Sequence, residues 1–408
     1  MRRVVITGMG AVSACGIGVK ALWDAALNGR SGVRESLFAR LSRQSVKHSA
    51  KITDADNEII AKGARPRFQD RVSILAQVAA REAVAQAGLG ADDFGAACGV
   101  VIGSGFGGAE TLDQNYVRTV SPVEQRLDPL SIPKIMTSSA ASWVAMDYHA
   151  TGPTFCISTA CSSAAQSIGI AADLIRAGTV ERCLAGGSEA LLIDGVFQAW
   201  EALHVMTPTL CRPFSQDRNG MVLGEGAGVL VLEALESALA RGATVLGELR
   251  GFASTNDATD LLRPNPEGAT ACMRQVLENA GLPAGEIGYV NAHGTGTTAN
   301  DIAESTALRA VFGEGEAFPL VSSTKPIHGH ALGAAGALEL IITLCALKAQ
   351  IAPPTINFTT PDPKIGFDPV ANLARPFRAE FALSNSFAFG GINAALVVSL
   401  PVISRPDA

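Results

Sequence analysis

A loose internal repeat constrains this chain most. Four segments of the first half return in the same order in the second. Val4-Val-Ile-Thr-Gly-Met-Gly10 is echoed by Glu248-Leu-Arg-Gly-Phe252, and Val100-Val-Ile-Gly-Ser-Gly105 by Tyr289-Val-Asn-Ala-His-Gly294. The strand-then-helix pattern around Cys161 is echoed by Leu320-Val-Ser-Ser-Thr-Lys325 and the helix predicted from about Ala331. Gly226-Ala-Gly-Val-Leu-Val-Leu232 is echoed by Gly391-Ile-Asn-Ala-Ala-Leu-Val-Val398. Two copies of one strand-and-helix unit give mixed sheets covered by helices. The strands are continuous apolar runs, so both faces of those sheets must be buried. The predicted class is α/β, divided into halves at 1–250 and 251–408.

Local patterns fill in this frame. Residues 3–7 read as a β-branched strand ending in Gly8-Met-Gly10, with periodic, Ala-rich segments at about 19–28 and 72–87. The stretch 34–66 is polar and irregular and reads as a surface excursion. Further strands are predicted at 99–102, 181–185 and 228–233, the last after a loop from Pro208 to Gly228. Hydrophobic residues make up 48% of the 408 residues and charged ones only 17%. That balance implies a large core and an extensive subunit interface. No run reaches the roughly 18 apolar residues of a membrane span. The best stretch, Leu338 to Leu347, is short and contains Glu339. The start has a three-residue apolar run, Val4–Ile6, where a secretory signal needs roughly 7–15. A cytoplasmic location is expected.

Eight cysteines lie at 15, 98, 156, 161, 183, 211, 272 and 345, with no Cys-x-x-Cys pair. Zinc, iron–sulfur and thioredoxin-like readings are therefore weak, no metal site is predicted, and disulfides are not expected. A net charge of −6 argues against nucleic-acid binding. Arg65, Arg67 and Arg71 cluster locally, either as a solvated face or as a dock for an acidic partner.

Cys161 sits where a predicted strand turns, at Ser158-Thr159-Ala160, into a helix of small and apolar residues. Unpaired N–H groups and the positive end of the helix dipole there favour thiolate over thiol, and small neighbours keep the sulfur accessible. The competing reading is a buried structural cysteine. Two histidine stretches decide between them. Asn291-Ala-His293-Gly-Thr-Gly-Thr297 puts a histidine after an apolar strand in a Gly/Thr loop, and Lys325-Pro-Ile-His328-Gly-His330 does so again. Glu339 interrupts the nearly all-apolar helix from Ala331 to Lys348. A buried carboxylate needs a partner, and Lys325 is the candidate. One cysteine with histidines is the ingredient list for acyl transfer. A Cys–His protease would use a single histidine as base. Two histidines at equivalent loops suit hydrogen bonding to a developing oxyanion, as in carbon–carbon bond formation through an enolate.

These motifs resemble those of the β-ketoacyl-acyl carrier protein synthases, elongating enzymes of type I/II in the thiolase superfamily, from Arg3 to about Val398. Besides the stretches above, Ser158-Thr-Ala-Cys161-Ser-Ser, Arg212-Pro-Phe214-Ser, Gly224-Glu-Gly-Ala-Gly228, Gly329-His330-Ala-Leu-Gly-Ala-Ala-Gly336 and Ser384-Asn-Ser-Phe-Ala-Phe389-Gly-Gly carry the likeness. The resemblance implies a duplicated five-layer α-β-α-β-α fold, a homodimer, and decarboxylative condensation of an acyl-enzyme on Cys161 with malonyl-acyl carrier protein. It implies His293 and His330 as the remaining triad members, Lys325 and Glu339 as supporting charges, and the backbone N–H groups of Cys161 and Phe389 as an oxyanion hole. Phe389 is also implied as an aromatic gate to the acyl pocket. Thr295 and Thr297 would hold the phosphopantetheine that arrives on the carrier, so no separate cofactor is implied. Arg65, Arg67 and Arg71 would meet the carrier's acidic surface.

Three positions depart from the pattern. Phe106 stands where an acyl-pocket wall is often aliphatic, which predicts a preference for short or unusually shaped chains. His328 is an additional histidine near the site, structural or tuning. Trp143 falls in a segment resembling the dimer-interface helix, where smaller residues are usual, and points to a changed interface. The alternative is a specialised ketosynthase subunit of a heterodimeric secondary-metabolite synthase, making polyene, polyketide or nodulation-type lipid chains with a chain-length-factor-like partner. A noncatalytic subunit would lose the nucleophile, and a degradative thiolase would need a second reactive cysteine near the C-terminus.

Overall fold

The computed structural model describes residues 2–36, 38, 40–41, 44–123, 126–315 and 317–401. Ten strands form its main sheet: β1 (Val4–Ser13), β2 (Cys98–Gly103), β3 (Thr154–Phe155), β4 (Arg182–Glu189), β5 (Gly226–Ala234), β6 (Gly247–Asn256), β7 (Ile287–Asn291), β8 (Leu320–Ser322), β9 (Phe381–Ala388) and β10 (Ile392–Ser399). A two-residue strand, Gly16–Ile17, pairs with β1 at the side. The order is β3-β2-β4-β5-β1 in the first half and β8-β7-β9-β10-β6 in the second. These orders are the same path written twice. Directions match too: the outer two pairings of each half are parallel and the inner two antiparallel. Among the described residues, the two half-sheets pair with each other at Val5/Glu248 and Ile6/Gly247. All four sequence echoes fall on equivalent strands, β1 with β6, β2 with β7, β3 with β8 and β5 with β10. The expected division at 250/251 falls inside β6.

Helices complete the layers. α1 (Arg71–Gln86) and α2 (Ser139–Asp147) cover the outer face of the first half-sheet. Between the half-sheets lie α3 (Ser163–Arg176) and α7 (Ala335–Ala349), which also pack on each other. α4 (Asp194–Ala202) lies toward the site, and α5 (Pro266–Ala280) with α6 (Thr298–Phe312) covers the far side. The result is the α-β-α-β-α architecture. α7 has apolar residues all round because it touches both half-sheets, and Ala335 through Leu344 are all buried. Leu332–Ala349 is long and apolar enough to cross a membrane, longer than the stretch singled out from sequence, but this segment is the central core helix.

Two local expectations change. β1 does not end at Gly8-Met-Gly10 but runs on to Ser13, with a bulge between Ile6 and Gly8. The glycines serve close packing: a Cβ on Gly8 would lie 2.0 Å from Ala83 O, and one on Gly10 1.9 Å from Ala79 O, both in α1. The 34–66 excursion holds a strand pair, Arg34–Glu35 with His48–Ser49, and a helix, Asp54–Ala61, capped by Thr53 Oγ1 accepting from Asp56 N at 3.1 Å.

Candidate active site

The chain enters α3 through one tight turn, Ala160–Ser162, in which Ala160 has φ +50°. A left-handed alanine is a strained residue, and it aims the next side chain, Cys161, away from the helix. Ser163 Oγ secures the turn by donating to Ala160 O at 2.6 Å and accepting from Thr159 N at 2.9 Å. The second half repeats the device. Leu332, at φ +40°, opens the turn before α7, and the two turns pack against each other. The starts of the two central helices therefore converge on one point, and His330 lies just ahead of the second.

His330 is fixed through its backbone, its N–H donating to Val222 O at 2.7 Å and its carbonyl accepting from Gly224 N at 3.0 Å. Its Nε2 lies 3.1 Å from Cys161 Sγ. His293 follows β7, and the Glu304 carboxylate on α6 holds the loop by accepting from His293 N at 2.8 Å and Gly294 N at 2.7 Å. The two imidazoles meet edge to face, 5.4 Å between centroids. The Lys325 ammonium sits 3.3 Å behind His293 Nδ1 and is paired with Glu339, the partner expected from sequence. A lysine can only donate, so Nδ1 accepts and the neutral His293 ring carries its proton on Nε2.

Burial governs the electrostatics. Cys161 is only 5% exposed, and burial pushes its thiol up to about 12, against the pull of the Lys325 charge. This corrects the expectation of an accessible sulfur biased to thiolate: the turn and helix start are as predicted, but desolvation outweighs them. Burial, then the Lys325 charge, drives His293 and His330 well below the usual imidazole range. The resting site is thus a neutral thiol beside neutral imidazoles, with Cys161 Sγ and His330 Nε2 at hydrogen-bond distance. The Cys161, His293 and His330 donor atoms lie within 4.8 Å of one another, a spacing a metal could use. The ammonium directly behind His293 opposes a cation there.

Other expected residues are placed as follows. Thr295 and Thr297 share a hydrogen bond of 2.9 Å on the wall of the cavity that reaches Cys161, and Phe389 lines the same cavity. Phe106 does not line it. Its ring is 51% exposed, although its N–H reaches Glu189. His328 is buried beside Thr324, 3.0 Å from Nε2 to Oγ1, and burial takes it down to about 3. Arg65 and Arg67 are exposed, with the Arg65 guanidinium 5.9 Å from the Trp143 ring centre. Arg71 is not part of an open basic patch, because both Glu225 oxygens and Asn57 occupy its guanidinium.

Sequence reasoning missed several supports. Glu189 ties the two halves together, accepting from Gly105 N at 2.7 Å and Gly333 N at 3.0 Å. Asp301 holds Phe214 N at 2.8 Å and Gly296 N at 3.2 Å. Asp301 and Glu304 stand three apart on the buried face of α6, a signal that was available. Trp200 of α4 stacks on Phe389, centroids 5.7 Å apart and planes at 16°.

The sequence matches the family described as "Beta-ketoacyl synthase, N-terminal domain" over residues 1–238 and "Beta-ketoacyl synthase, C-terminal domain" over residues 246–359. "Nodulation protein E" of Rhizobium sp. (strain N33) is 42% identical over 397 residues, covering 97% of this chain and 98% of that protein. "3-oxoacyl-(acyl-carrier-protein) synthase 2" of Staphylococcus aureus (strain N315) is 38% identical over 404 residues, again 97% and 98%. The solved structure of "the ishigamide ketosynthase/chain length factor" superposes with a TM-score of 0.93 at 33% identity, covering 98% of this chain and 99% of that one.

Proposed function

The chain belongs to the β-ketoacyl synthase family, and from that premise we propose that it is a 3-oxoacyl-acyl carrier protein synthase acting through Cys161, His293 and His330. The observation that carries the reading is the sulfur 3.1 Å from His330 Nε2, beside a His293 whose donor Lys325 has set. His330 takes the thiol proton as the sulfur attacks an acyl thioester. The S–acyl bond forms, and the carrier leaves as its free thiol after taking a proton from water, while His330 keeps the thiol proton on Nε2 until the sulfur is released again. Malonyl-carrier then enters along Thr295 and Thr297 and loses its carboxylate as carbon dioxide. The electron pair left behind forms an enolate, whose oxygen would accept from His293 Nε2–H and His330 Nε2–H. Attack of that carbon on the acyl-enzyme forms the new C–C bond and returns the pair to sulfur. The tetrahedral oxyanion would sit against the N–H groups of Cys161 and Phe389. The phosphopantetheine belongs to the substrate, and no other cofactor is part of this reading.

A homodimer and a cytoplasmic location belong to the same proposal. The helix Ala109–Val120 supports the dimer because it is inside out. It buries Thr111 and Asn115 while Leu112, Tyr116 (71%) and Val120 stay exposed. Exposed Val123, Ile132, Met136 and Phe106 lie on the same stretch of chain. Phe106 would restrict the acyl pocket from this interface side, favouring short chains. A non-identical partner is the second reading, supported by the likeness to a ketosynthase/chain-length-factor structure. Arg65 and Arg67, without Arg71, remain candidates to meet the carrier.

Intact mass after incubation with acyl-carrier proteins, acetyl through palmitoyl, tests the reading. Wild type should gain one acyl group and Cys161→Ala none. Absence of any gain, with the fold intact, would overturn the proposal for the single chain.

A further inference from the structure

Cys161 is only 5% exposed at the base of its cavity, so how readily a thioester reaches it depends on the cavity walls. The walls of the cavity differ in how firmly they are held. His330 is bonded through its backbone on both sides, and His293 is clamped by Glu304. Trp200 is anchored by α4, where Phe197, one turn earlier, is fully buried with its ring centre 4.3 Å from that of Phe38. The same helix is tied at its start by Arg40 to Asp194 and near its end by Glu201, which accepts from Val46 N at 2.9 Å. Phe389 is different. It is half-buried and precedes two glycines, Gly390 at φ +82° and Gly391 at φ +67°. Such a turn changes conformation at little steric cost.

Phe389 is therefore the least firmly held of these walls, and among the side chains it packs against is the face of Trp200, on which it stacks. On its other side the turn is held by backbone and amide hydrogen bonds, among them Gly390 N to Leu261 O at 2.8 Å, Asn256 Nδ2 to Gly390 O at 2.9 Å and Asp257 N to Gly391 O at 2.8 Å. We propose that Trp200 is a positioning residue that holds Phe389 over Cys161 and so sets how readily the sulfur is reached. The stack is dispersive and quadrupolar, so it depends on a flat aromatic face at residue 200. A side chain of similar bulk without that face would leave Phe389 free to swing. The inference rests on Cys161 being the nucleophile of the proposed reaction.

Alkylation of the full-length protein by iodoacetamide, followed by intact mass and peptide mapping, tests it without any carrier protein. Trp200→Leu should raise the rate at Cys161 about fivefold, the order of one aromatic stack. Trp200→Phe, which keeps a stackable ring, should fall between Trp200→Leu and wild type. The pH profile of alkylation should keep its midpoint, since access changes and the thiol environment does not. Phe389→Ala should match Trp200→Leu, and combining the two should add nothing. If Trp200→Leu fails to fold, Trp200→Phe compared with wild type, alone and with Phe389→Ala, carries the same decision. Rates at Cys161 within twofold of wild type would overturn the proposal. So would additive effects, or simultaneous labelling of buried Cys98 and Cys183, which would mean general loosening. Acylation of wild type is scored separately: its failure sinks the nucleophile reading, whereas unchanged alkylation in the variants sinks only the role of Trp200.

Discussion

An ammonium 3.3 Å behind His293, with the Glu339 carboxyl group on its far side, is the charge closest to the reacting groups of this buried site. Lys325 fixes the His293 tautomer, opposes the burial that raises the Cys161 thiol, and adds to the burial that keeps both imidazoles neutral. Lys325→Met should therefore damage the two half-reactions unequally. Acylation depends on the sulfur and His330, condensation also on the His293 donor. Losing one oriented donor to an oxyanion costs about 100-fold or more. Condensation should fall by that much and acylation by about tenfold, read from steady-state product formation and single-turnover mass. Equal losses would place Lys325 on the sulfur alone. The Lys325–Glu339 pair was legible in the sequence because a single carboxylate in an apolar helix has to find a cation. The protonation state of Cys161 was not, because it depends on how deeply packing buries the sulfur, and spacing does not report depth.

At the scale of elements, the repeat was readable because β-branched runs and glycine turns survive in both halves. The length of β1 was not readable. Gly8 and Gly10 look like a strand terminator, and only the position of α1 shows that they admit Ala83 and Ala79 carbonyls into the strand's surface. The prediction is steric. Gly10→Ala puts a methyl where a carbonyl oxygen already sits, so it should cost about 3 kcal/mol or more by chemical denaturation, the upper range for overpacking. Gly285→Ala meets nothing within 4 Å and has no positive φ, so it should change stability by less than about 0.5 kcal/mol. Equal effects would mean that α1 shifts freely off β1. Trp200 and Phe389 lie 189 positions apart by residue number, 389 − 200. No local pattern could have paired them. Phe106 shows the reverse limit, a position the family pattern assigns to a pocket wall that a single chain leaves open to solvent.

The whole molecule concentrates buried ionisable groups at the seam of its halves, and their shifts oppose one another. Glu189, Glu304 and Glu339 are each raised to about 7 by burial. Each stays protonated when folded over a range, about pH 4.5–7, where the unfolded chain has released the proton. These three make stability fall as pH rises through that range. His293, His328 and His330 are lowered by burial, His328 to about 3. Each stays neutral when folded where the unfolded chain, below about 6.5, has taken a proton. These three make stability rise with pH. Three protons bound on folding and three excluded nearly cancel between about pH 4.5 and 6.5, so Tm should be almost level there. Below about 4.5 the glutamates are protonated in both states, and the histidines remain, opposed by Asp301, which burial also raises. Stability should then drop as pH falls, each histidine still neutral in the folded protein contributing about 1.4 kcal/mol per pH unit. Asp217 and Asp362, held low by hydrogen bonds from Ser215 Oγ and Lys364 N, should steepen that fall. Glu304→Gln separates the two sets. With one compensating carboxylate gone, a slope of about 1.4 kcal/mol per pH unit should emerge between about 4.5 and 6.5, stability now decreasing as pH falls. Denaturant midpoints across pH 4–8 for both proteins decide it. A wild-type midpoint that declines steadily from pH 7 would mean the seam glutamates are ionised in the folded protein. A Glu304→Gln profile parallel to wild type would mean that Glu304 carries none of the compensation.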